Sequence, residues 1–390
     1  MATKEGMLSA RESARITREN RKILRELDGR LARKHVLESE YLTTMHDLGN
    51  VVEFDDLHTY FFTDVGTVHA VDGVSFDVPA GKTVGIVGES GCGKSVTSLS
   101  LMQLLQRPTG QIVSGEIRLN LGNKAYDIAK MPISAMGMVR GSVVSMIFQE
   151  PMTSLNPVFR IGFQLEEILA LHYPGMSKEE VHVRAVDAVK MVGIPDAEGI
   201  CQRYPHELSG GMRQRIVIAM ALVCEPRLII ADEPTTALDV TIQAQILELL
   251  RNLKGKINAS IMLITHDLGV IAEMADYVVV MYAGRIVEKG LAREIFLDPR
   301  HPYTIGLMAS KPVINKKVER LYSIPGSVPN PVNMPDYCYF RDRCEQCVSS
   351  CQGSYPPEMR VSETHIVSCW RFENENAAFA ASWKGGMQHV

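Results

Sequence analysis

One short segment of this chain combines glycines, a lysine and a serine at a spacing that suits phosphate binding. Its pattern is G-x-x-x-x-G-K-S, and its residues are Gly88, Glu89, Ser90, Gly91, Cys92, Gly93, Lys94 and Ser95. Glycines let successive backbone N–H groups turn towards one anion, and the lysine can reach the β- and γ-phosphates of a nucleotide. The serine hydroxyl can hold Mg²⁺. The segment therefore predicts a loop that binds a nucleoside triphosphate together with Mg²⁺.

The residues on either side of this loop predict the elements that must position it. Residues 83–87 are rich in β-branched side chains, as in a buried strand, and residues 94–105 are rich in apolar side chains and lack proline. A strand, a glycine loop and a helix would then follow one another. This order is typical of the P-loop class of nucleotide-binding proteins.

Two adjacent carboxylates, Asp232 and Glu233, follow the apolar segment at 228–231. Ligands of α/β proteins bind at the carboxyl ends of the strands, so we expect both side chains beside the phosphate loop. Asp232 suits Mg²⁺. Glu233 is the candidate base, or the group that orients the attacking water, in phosphoryl transfer.

A second anion site is predicted where Ser209, Gly210 and Gly211 begin a helix at 210–223. The free N–H groups and the positive end of such a helix can face a phosphate. One chain thus carries two segments suited to phosphate.

The hydrophobic pattern predicts an α/β fold with a mainly parallel core sheet and an antiparallel β part. Predicted strands are residues 51–58, 74–78, 83–87, 115–119, 143–148, 227–231, 260–264 and 277–281. Strand signals disappear from about 153 to 225, and predicted helices there are residues 163–171, 178–192 and 210–223. We therefore expect a nucleotide-binding domain at 49–298 with a helical subdomain inserted at about 150–225.

Two further regions flank this domain. Residues 1–48 are charged and predict an amphipathic helix weakened at Gly29, which either packs on its own domain or docks on a partner subunit or a membrane surface. Residues 299–390 are rich in proline and glycine and predict a small, loop-rich appendage. We expect its cysteines to replace a hydrophobic core that it cannot build.

Composition excludes several classes of protein. The 390 residues are 46% hydrophobic with a net charge of −4, which gives no basic field for nucleic acid. No apolar run is long enough to span a membrane, and the first residues lack the pattern of a secretory signal. Because a reducing compartment is then expected, the cysteine-rich tail favours metal ligation over disulfides.

The segment Leu-Ser-Gly-Gly that begins at Leu208 resembles the signature of ATP-binding cassette (ABC) proteins. Other motifs of that family follow in the same order: Gln149 resembles the Q-loop, Ala237-Leu238-Asp239 the D-loop, and His266 the switch histidine. The resemblance covers residues 51–297. It implies an ATPase in which Gln149 and Asp232 help to bind Mg²⁺. The catalytic residues that it implies are Glu233, His266 and again Gln149.

The family stacks an aromatic residue on adenine, and Phe61 matches that position, with Tyr60 or Phe62 as alternatives. The resemblance also implies that two ATPase subunits pack head to tail. Residues 209–211 and Asp239 would then help to bind the nucleotide of the partner subunit.

Narrower motifs resemble the ATPase subunits of dipeptide, oligopeptide and nickel importers, specifically the first of their two ATPase subunits. These motifs are residues 149–157, His301-Pro302-Tyr303-Thr304 and Ile324-Pro325-Gly326-Ser327. The resemblance implies a second homologous ATPase subunit, two transmembrane permease subunits and, indirectly, an extracytoplasmic substrate-binding protein. It places the chain on the cytoplasmic face of the membrane. The cargo stays open between peptides, nickel and oligosaccharides.

The cysteines of the tail resemble the four that bind a [4Fe–4S] cluster in some of these relatives. They are Cys338, Cys344, Cys351 and Cys369, and the first three follow C-x₅-C-x₆-C. Four thiolates also suit tetrahedral zinc. Cys347 departs from the pattern and offers a competing ligand beside Cys344, so a cluster, zinc and no metal all stay open.

Two other classes of function can be weighed against a transporter ATPase. A soluble ABC ATPase that acts on nucleic acid or ribosomes would usually carry two cassettes or a long coiled coil, whereas this chain has one phosphate loop and no basic stripe. A purely regulatory binding module conflicts with the presence of both Glu233 and His266. Co-purification with two permeases would separate the transporter from both.

Overall fold

The computed structural model describes residues 10–149, 154–236, 239–310 and 322–383, and the strands in these ranges form two sheets. The five-stranded sheet has the order β1-β6-β5-β2-β3, and the eight-stranded sheet has the order β12-β13-β11-β10-β4-β9-β8-β7. The strands are β1 (Leu42–Thr43), β2 (Asn50–Thr63), β3 (Gly66–Pro79), β4 (Thr83–Val87), β5 (Gly110–Asn120), β6 (Ala125–Asp127), β7 (Val144–Ile147), β8 (Leu228–Asp232), β9 (Ser260–Thr265), β10 (Tyr277–Tyr282), β11 (Arg285–Leu291), β12 (Met359–Arg360) and β13 (Ile366–Val367).

Five strands of the larger sheet, β10, β4, β9, β8 and β7, are parallel to one another. Every residue of β4, β8 and β9 is buried, because helices pack on one face of the parallel strands and the antiparallel sheet packs on the other. The carboxyl ends of these strands meet at one edge. The phosphate loop, Asp232 and His266 all follow strands that end there.

The smaller sheet is antiparallel, and its long strands β2 and β3 pair over most of their length. Both strands are longer than the sequence predicts. The pairing of β2 with β3 shifts register at several β-bulges but continues past them, so the strands do not end there. Its inner face shares one hydrophobic core with the larger sheet, in which Phe54 and Ile86 are fully or almost fully buried.

The helices of the described ranges are α1 (Ala10–Leu31), α2 (Lys94–Leu101), α3 (Ile161–His172), α4 (Lys178–Met191), α5 (Ala197–Cys201), α6 (Gly210–Leu222), α7 (Val240–Ile257), α8 (Leu268–Met274), α9 (Ala292–Leu297), α10 (Pro302–Ala309) and α11 (Glu373–Trp383). Helix α2 ends before the predicted residue 105, because Gln103 adopts a positive φ of 48°. Helices α3 to α6 lie between β7 and β8 in the chain and bury their apolar faces in a common core. No helix in the described ranges is long and apolar enough to span a membrane.

Helix α1 packs against the antiparallel sheet of its own chain. The Asn20 amide donates a hydrogen bond to the Thr63 carbonyl at 2.8 Å, and Asp28 pairs with Arg107 at 3.2 Å. The helix continues through Gly29, where the sequence predicts a break, because Leu31 in the next turn is buried and holds the end of the helix in place.

The C-terminal region buries apolar side chains in hydrophobic cores, so the expectation that it cannot build one is wrong. Tyr303 is fully buried, and Phe340 and Cys338 join the hydrophobic core of the helices and the parallel sheet. Strand β13 also pairs with β11 and extends the larger sheet. Aromatic side chains contribute to this buried area.

Candidate nucleotide and magnesium site

The phosphate loop connects β4 to α2, as the sequence predicts, and two of its glycines are required by close contacts. A Cβ atom on Gly88 would collide with the carbonyl oxygen of Met281, and one on Gly93 would collide with that of Ala70. Gly93 also has φ 101°, which L side chains rarely adopt. The loop is therefore held closely between β10 and β3.

Lys94 occupies the mouth of this loop and is only 6% exposed. Its Nζ donates hydrogen bonds to the carbonyl oxygens of Gly88 at 2.9 Å and Glu89 at 3.1 Å. The thiol of Cys92 lies beside it, and burial raises the pKa of Cys92, so this residue is a small neutral side chain rather than a nucleophile. A phosphate would compete with the two carbonyls for the ammonium group.

Ser95 and Asp232 form the predicted magnesium position. The Ser95 hydroxyl donates to Oδ1 of Asp232 at 3.0 Å. Burial raises the pKa of Asp232, and the hydrogen bond from Ser95 opposes this shift. A hydroxyl and a carboxylate supply the oxygen ligands that Mg²⁺ prefers, and a cation would relieve the cost of burying the charge. These residues fit the ion.

Glu233 is the centre of a hydrogen-bond network that brings the three predicted catalytic residues together. The Gln149 amide donates to Oε2 of Glu233 at 3.1 Å, and Nδ1 of His266 lies 3.2 Å from Oε1. Thr236 also donates to Oε2, at 2.8 Å. Burial raises the pKa of Glu233, but the hydrogen bonds from Thr236 and His266 outweigh it, so the pKa is lowered overall. Glu233 is therefore an ionised acceptor at neutral pH.

Residues 209–211, here called the signature tip, lie at the start of α6. The Ser209 side chain caps the helix by accepting from the N–H of Met212 at 3.4 Å. Ser209 and Gly210 are exposed. Among the described residues, no heavy atom outside the local chain comes within 4 Å of a Cβ placed on Gly210. The tip therefore presents free N–H groups to the outside of the chain.

Two predicted motifs extend beyond the described residues. Asp239 caps α7 by accepting from the N–H of Ile242 at 2.9 Å, while Ala237 and Leu238 of the same motif lie outside the described residues. Residues 150–153, which follow Gln149, lie outside them as well.

The adenine position stays a prediction. The Phe61 ring packs against Gly110, whose Cβ would lie 2.7 Å from Cε1 of the ring, and Phe62 is only 7% exposed. The Tyr60 ring instead stacks on His69, with 4.1 Å between the centroids. His69 precedes Ala70, the residue that touches Gly93, so Tyr60 stands nearer to the phosphate loop along this chain of contacts.

Sequence reasoning missed several residues around the site. Thr236 holds Glu233, and the buried Gln214 donates to the Pro234 carbonyl at 2.7 Å, which links α6 to the loop after β8. Tyr303 and Arg343 both contact Glu89. The spacing Glu-x-x-Thr could have indicated Thr236. No local signal in the sequence connects Arg343 with Glu89 of the phosphate loop, which lies 254 residues earlier.

The four cysteines of the predicted cluster lie close enough to affect one another. Cys338 and Cys351 are buried in adjacent loops, where the Cys338 N–H donates to the Cys351 carbonyl at 3.2 Å. Burial and the neighbouring thiols raise the pKa of Cys338 to about 12 and that of Cys369 to about 11. In the described ranges, no three or more His, Cys, Asp or Glu side chains are arranged to hold a metal ion. The thiols are therefore the right type of ligand for a cluster or for zinc, but in this structure they are not arranged around a metal position.

Comparison with known proteins identifies the family of the chain. The family described as ABC transporter matches residues 71–236, and the family described as oligopeptide/dipeptide transporter, C-terminal region, matches residues 287–351. The chain is 50% identical over 330 residues to the oligopeptide transport ATP-binding protein AppD of Bacillus subtilis, a match that covers 85% of this chain and 99% of that protein. It is 48% identical over 320 residues to the dipeptide transport ATP-binding protein DppD of the same species, covering 82% and 94% respectively.

Among solved structures, the dimeric post-hydrolysis state of the ATP-binding cassette MJ0796 bound to ADP and Pi has a TM-score of 0.54 and 26% identity, covering 62% of this chain and 99% of that one. The resemblance predicted from the motifs is thereby confirmed. The chain belongs to the ABC transporter family, in the group that carries the oligopeptide/dipeptide transporter C-terminal region.

Proposed function

We propose that this chain hydrolyses ATP to power the import of peptides by a membrane transporter. The observation that carries the proposal is the position of Glu233, which contacts Gln149 and His266 at the sheet edge that also bears Lys94 and the Ser95–Asp232 pair. Relatives that cover the same length are oligopeptide and dipeptide transport ATP-binding proteins. Nickel or oligosaccharide cargo is the alternative within the same group.

The geometry supports a mechanism of positioning and electrostatics rather than covalent chemistry. Lys94 leaves the carbonyls of Gly88 and Glu89 and bonds to the β- and γ-phosphates. Ser95, Asp232 and Gln149 would hold Mg²⁺, which would supply positive charge to the phosphates when bound. Glu233 accepts a proton from, or orients, the attacking water, and His266 steadies the carboxylate and the γ-phosphate.

The signature tip acts on the nucleotide of a second, homologous ATPase subunit. Its exposure and its free N–H groups support this assignment, because an exposed helix start can bind an anion that belongs to another subunit. Asp239 would lie at the same junction. ATP then bridges the two subunits and favours a closed dimer, which opens when hydrolysis removes the γ-phosphate contacts.

A groove between β7 and the helices α3 and α6 is the proposed seat of the permease subunits. It has a volume of about 500 Å³. Phe148, which precedes Gln149, is 42% exposed there, and Leu171 is 75% exposed. An apolar groove beside the residue that contacts Glu233 suits a short helix of a permease, so that closure of the ATPase dimer moves the transporter. The chain would lie on the cytoplasmic face of the membrane, and an extracytoplasmic binding protein would deliver the cargo.

The domain organisation is part of the same proposal. Residues 49–298 form the ATPase domain with the helical subdomain at about 150–225, and helices α3 to α6, which share one core, support that insertion. Residues 1–48 form an extension, and residues 299–390 form the C-terminal region.

Cys338, Cys344, Cys351 and Cys369 are proposed to hold a structural [4Fe–4S] cluster, with zinc as the alternative. Their mutual influence on pKa supports a common ligand set, because a metal would favour the thiolates that burial disfavours. A visible absorption spectrum and metal analysis of anaerobically purified protein test this. Cys347→Ser is the matched control and should keep the spectrum that Cys351→Ser loses. Protein without iron or zinc would contradict the proposal.

The proposed transport function is tested with the chain co-expressed with candidate permeases from neighbouring genes and reconstituted in vesicles. Peptide uptake should require ATP and should stop in Glu233→Gln. Uptake of nickel or an oligosaccharide in place of peptide would move the chain to the alternative. Failure to associate with any permease would contradict the transporter assignment.

A further inference from the structure

The second residue of the phosphate loop, Glu89, is held at both its backbone and its side chain by the C-terminal region. Its N–H donates to the Tyr303 hydroxyl at 2.8 Å. Its carboxylate accepts two hydrogen bonds from the Arg343 guanidinium, Nη1 to Oε2 at 2.7 Å and Nη2 to Oε1 at 3.1 Å. This bidentate arrangement fixes both the distance and the orientation of the pair.

Arg343 is itself held so that it can impose a position on Glu89. Its side chain is 6% exposed, and its Nε donates to the Pro325 carbonyl at 2.9 Å. Nη1 also donates to the hydroxyl of Tyr282, the last residue of β10, at 3.3 Å. The guanidinium therefore cannot swing away with Glu89 without losing contacts to two other segments.

Tyr303, the second residue that anchors Glu89, is also held rigidly. The residue is fully buried, and its ring packs against Tyr282 at 4.7 Å and Phe340 at 5.5 Å between centroids. It lies in the first turn of α10, which His301 caps by accepting from the N–H of Tyr303. The hydroxyl that receives the Glu89 N–H is thus part of a packed core rather than a mobile surface group.

These anchors act on the part of the loop that must change when a nucleotide binds. Lys94 is bonded to the Gly88 and Glu89 carbonyls, and it has to release them to reach a phosphate. A loop fixed at Glu89 keeps its shape during that exchange, whereas an unfixed loop would have to be ordered by the nucleotide at a cost in affinity.

We propose that Arg343 is a positioning residue for the ATPase reaction, which holds the phosphate loop in its binding shape through Glu89, with Tyr303 as a second anchor. The inference rests on the proposed ATP hydrolysis. It assigns the C-terminal region a direct task at the nucleotide site, in addition to any metal that its cysteines hold.

The test measures nucleotide affinity on the purified full chain and ATP kinetics on the assembled transporter. Arg343→Ala should weaken Mg-ATP binding and raise the KM for ATP by about tenfold, with kcat within about twofold, because a lost charge-assisted pair removes binding shared by ground and transition states. Arg343→Lys should recover only part of the affinity, because lysine keeps the positive charge but cannot form the bidentate pair with Glu89. Arg341→Ala is the matched control, since Arg341 stands two residues away and pairs with the exposed Asp342; it should change neither value.

A double-mutant cycle separates positioning from stability. In a Glu89→Gln background, Arg343→Ala should change the affinity by less than about twofold, because its partner charge is already gone. Tyr303→Phe should weaken binding less than Arg343→Ala, since it removes one neutral hydrogen bond. A lower melting temperature with unchanged affinity, or an equal loss of affinity in both backgrounds, would overturn the proposal.

The same measurements distinguish this inference from the proposed function. If the wild-type chain binds ATP but the assembled complex does not hydrolyse it, the proposed function fails and the affinities still decide whether Arg343 positions the loop.

Discussion

The nucleotide site and the signature tip differ in how many side-chain contacts surround them. At the first, Glu233 is contacted by Gln149, Thr236 and His266, and Ser95 is bonded to Asp232. At the second, the described residues leave the N–H groups after Ser209 without such a network, and Gly210 is exposed. The nucleotide site is assembled before any ligand arrives, whereas the signature tip is completed, in the function proposed above, only by a second subunit.

This difference shows where the energy of ATP binding can be used. A preorganised half-site binds nucleotide with little rearrangement, so most of the additional binding energy becomes available when the exposed tip of another subunit docks on the γ-phosphate. Variants of the residues that bind phosphate at the first site should therefore weaken ATP binding by the isolated chain, variants of its catalytic residues should lower turnover, and variants of the tip should affect only the assembled pair. The predictions below test that division.

The largest effect is expected for Glu233→Gln. Loss of the carboxylate should lower kcat by about 1,000-fold, since proton acceptance and orientation of water are lost, while ATP affinity changes by less than about threefold. Steady-state phosphate release and nucleotide binding measure the two quantities. Glu248→Gln, an exposed glutamate on α7, is the control. Unchanged turnover in the assembled transporter would remove Glu233 from its proposed role.

A smaller effect on turnover, and none on the isolated chain, is expected for Gly210→Asp. A carboxylate at the tip would repel the γ-phosphate of the partner's nucleotide and lower the turnover of the complex by about 100-fold. The affinity of the isolated chain should stay within about twofold. Gly255→Asp is the matched control, because Gly255 also lies on a helix with no atom of the described residues within 4 Å of its Cβ position. A loss of affinity in the isolated Gly210 variant would break the comparison.

Lys94→Ala should give the reverse pattern, a weaker affinity already in the isolated chain. The loss of two charge-assisted hydrogen bonds to phosphate should weaken Mg-ATP binding by about 30-fold. Equilibrium binding measures this. Lys82→Ala, which removes an exposed lysine just before β4, should leave affinity unchanged. Normal ATP affinity in the Lys94 variant would contradict the assignment of the phosphate loop.

Much of the first half-site could be predicted because its residues sit at the ends of strongly patterned strands. The apolar runs before Gly88 and Asp232 fix β4 and β8, and parallel pairing then brings their carboxyl ends to one edge. The strand order itself is a tertiary property, so the contact between Gln149 and Glu233 followed only from the family resemblance.

The parts that escaped prediction depend on long-range packing. Whether Tyr60 or Phe61 stands beside the nucleotide depends on bulges in the pairing of β2 with β3, which shift the facing of side chains and leave no mark in the sequence. The C-terminal region was predicted to lack a core because it is rich in proline and glycine. Tyr303 and Phe340 instead complete a core that belongs mostly to other elements.

The smallest effect is expected for Thr236→Val, which removes a hydroxyl donor to Glu233 without removing the carboxylate. At neutral pH kcat should fall by no more than about threefold, because Gln149 and His266 still hold the side chain. The lowered pKa of Glu233 depends on these hydrogen bonds, so losing one raises that pKa and moves the acid side of the pH–rate profile to higher pH.

The sign of this shift is what makes Thr236→Val informative about preorganisation. Glu233 has to be ionised to accept a proton, so activity is lost as pH falls through its pKa, and a raised pKa brings that loss nearer to neutrality. A full pH–kcat profile of the assembled transporter measures it, with Thr109→Val, an exposed threonine distant in sequence from the site, as the control. If Thr236→Val leaves the acid limb of the profile unchanged, the hydrogen bonds around Glu233 do not set its pKa. The difference in preorganisation between the nucleotide site and the signature tip would then depend on the phosphate loop alone.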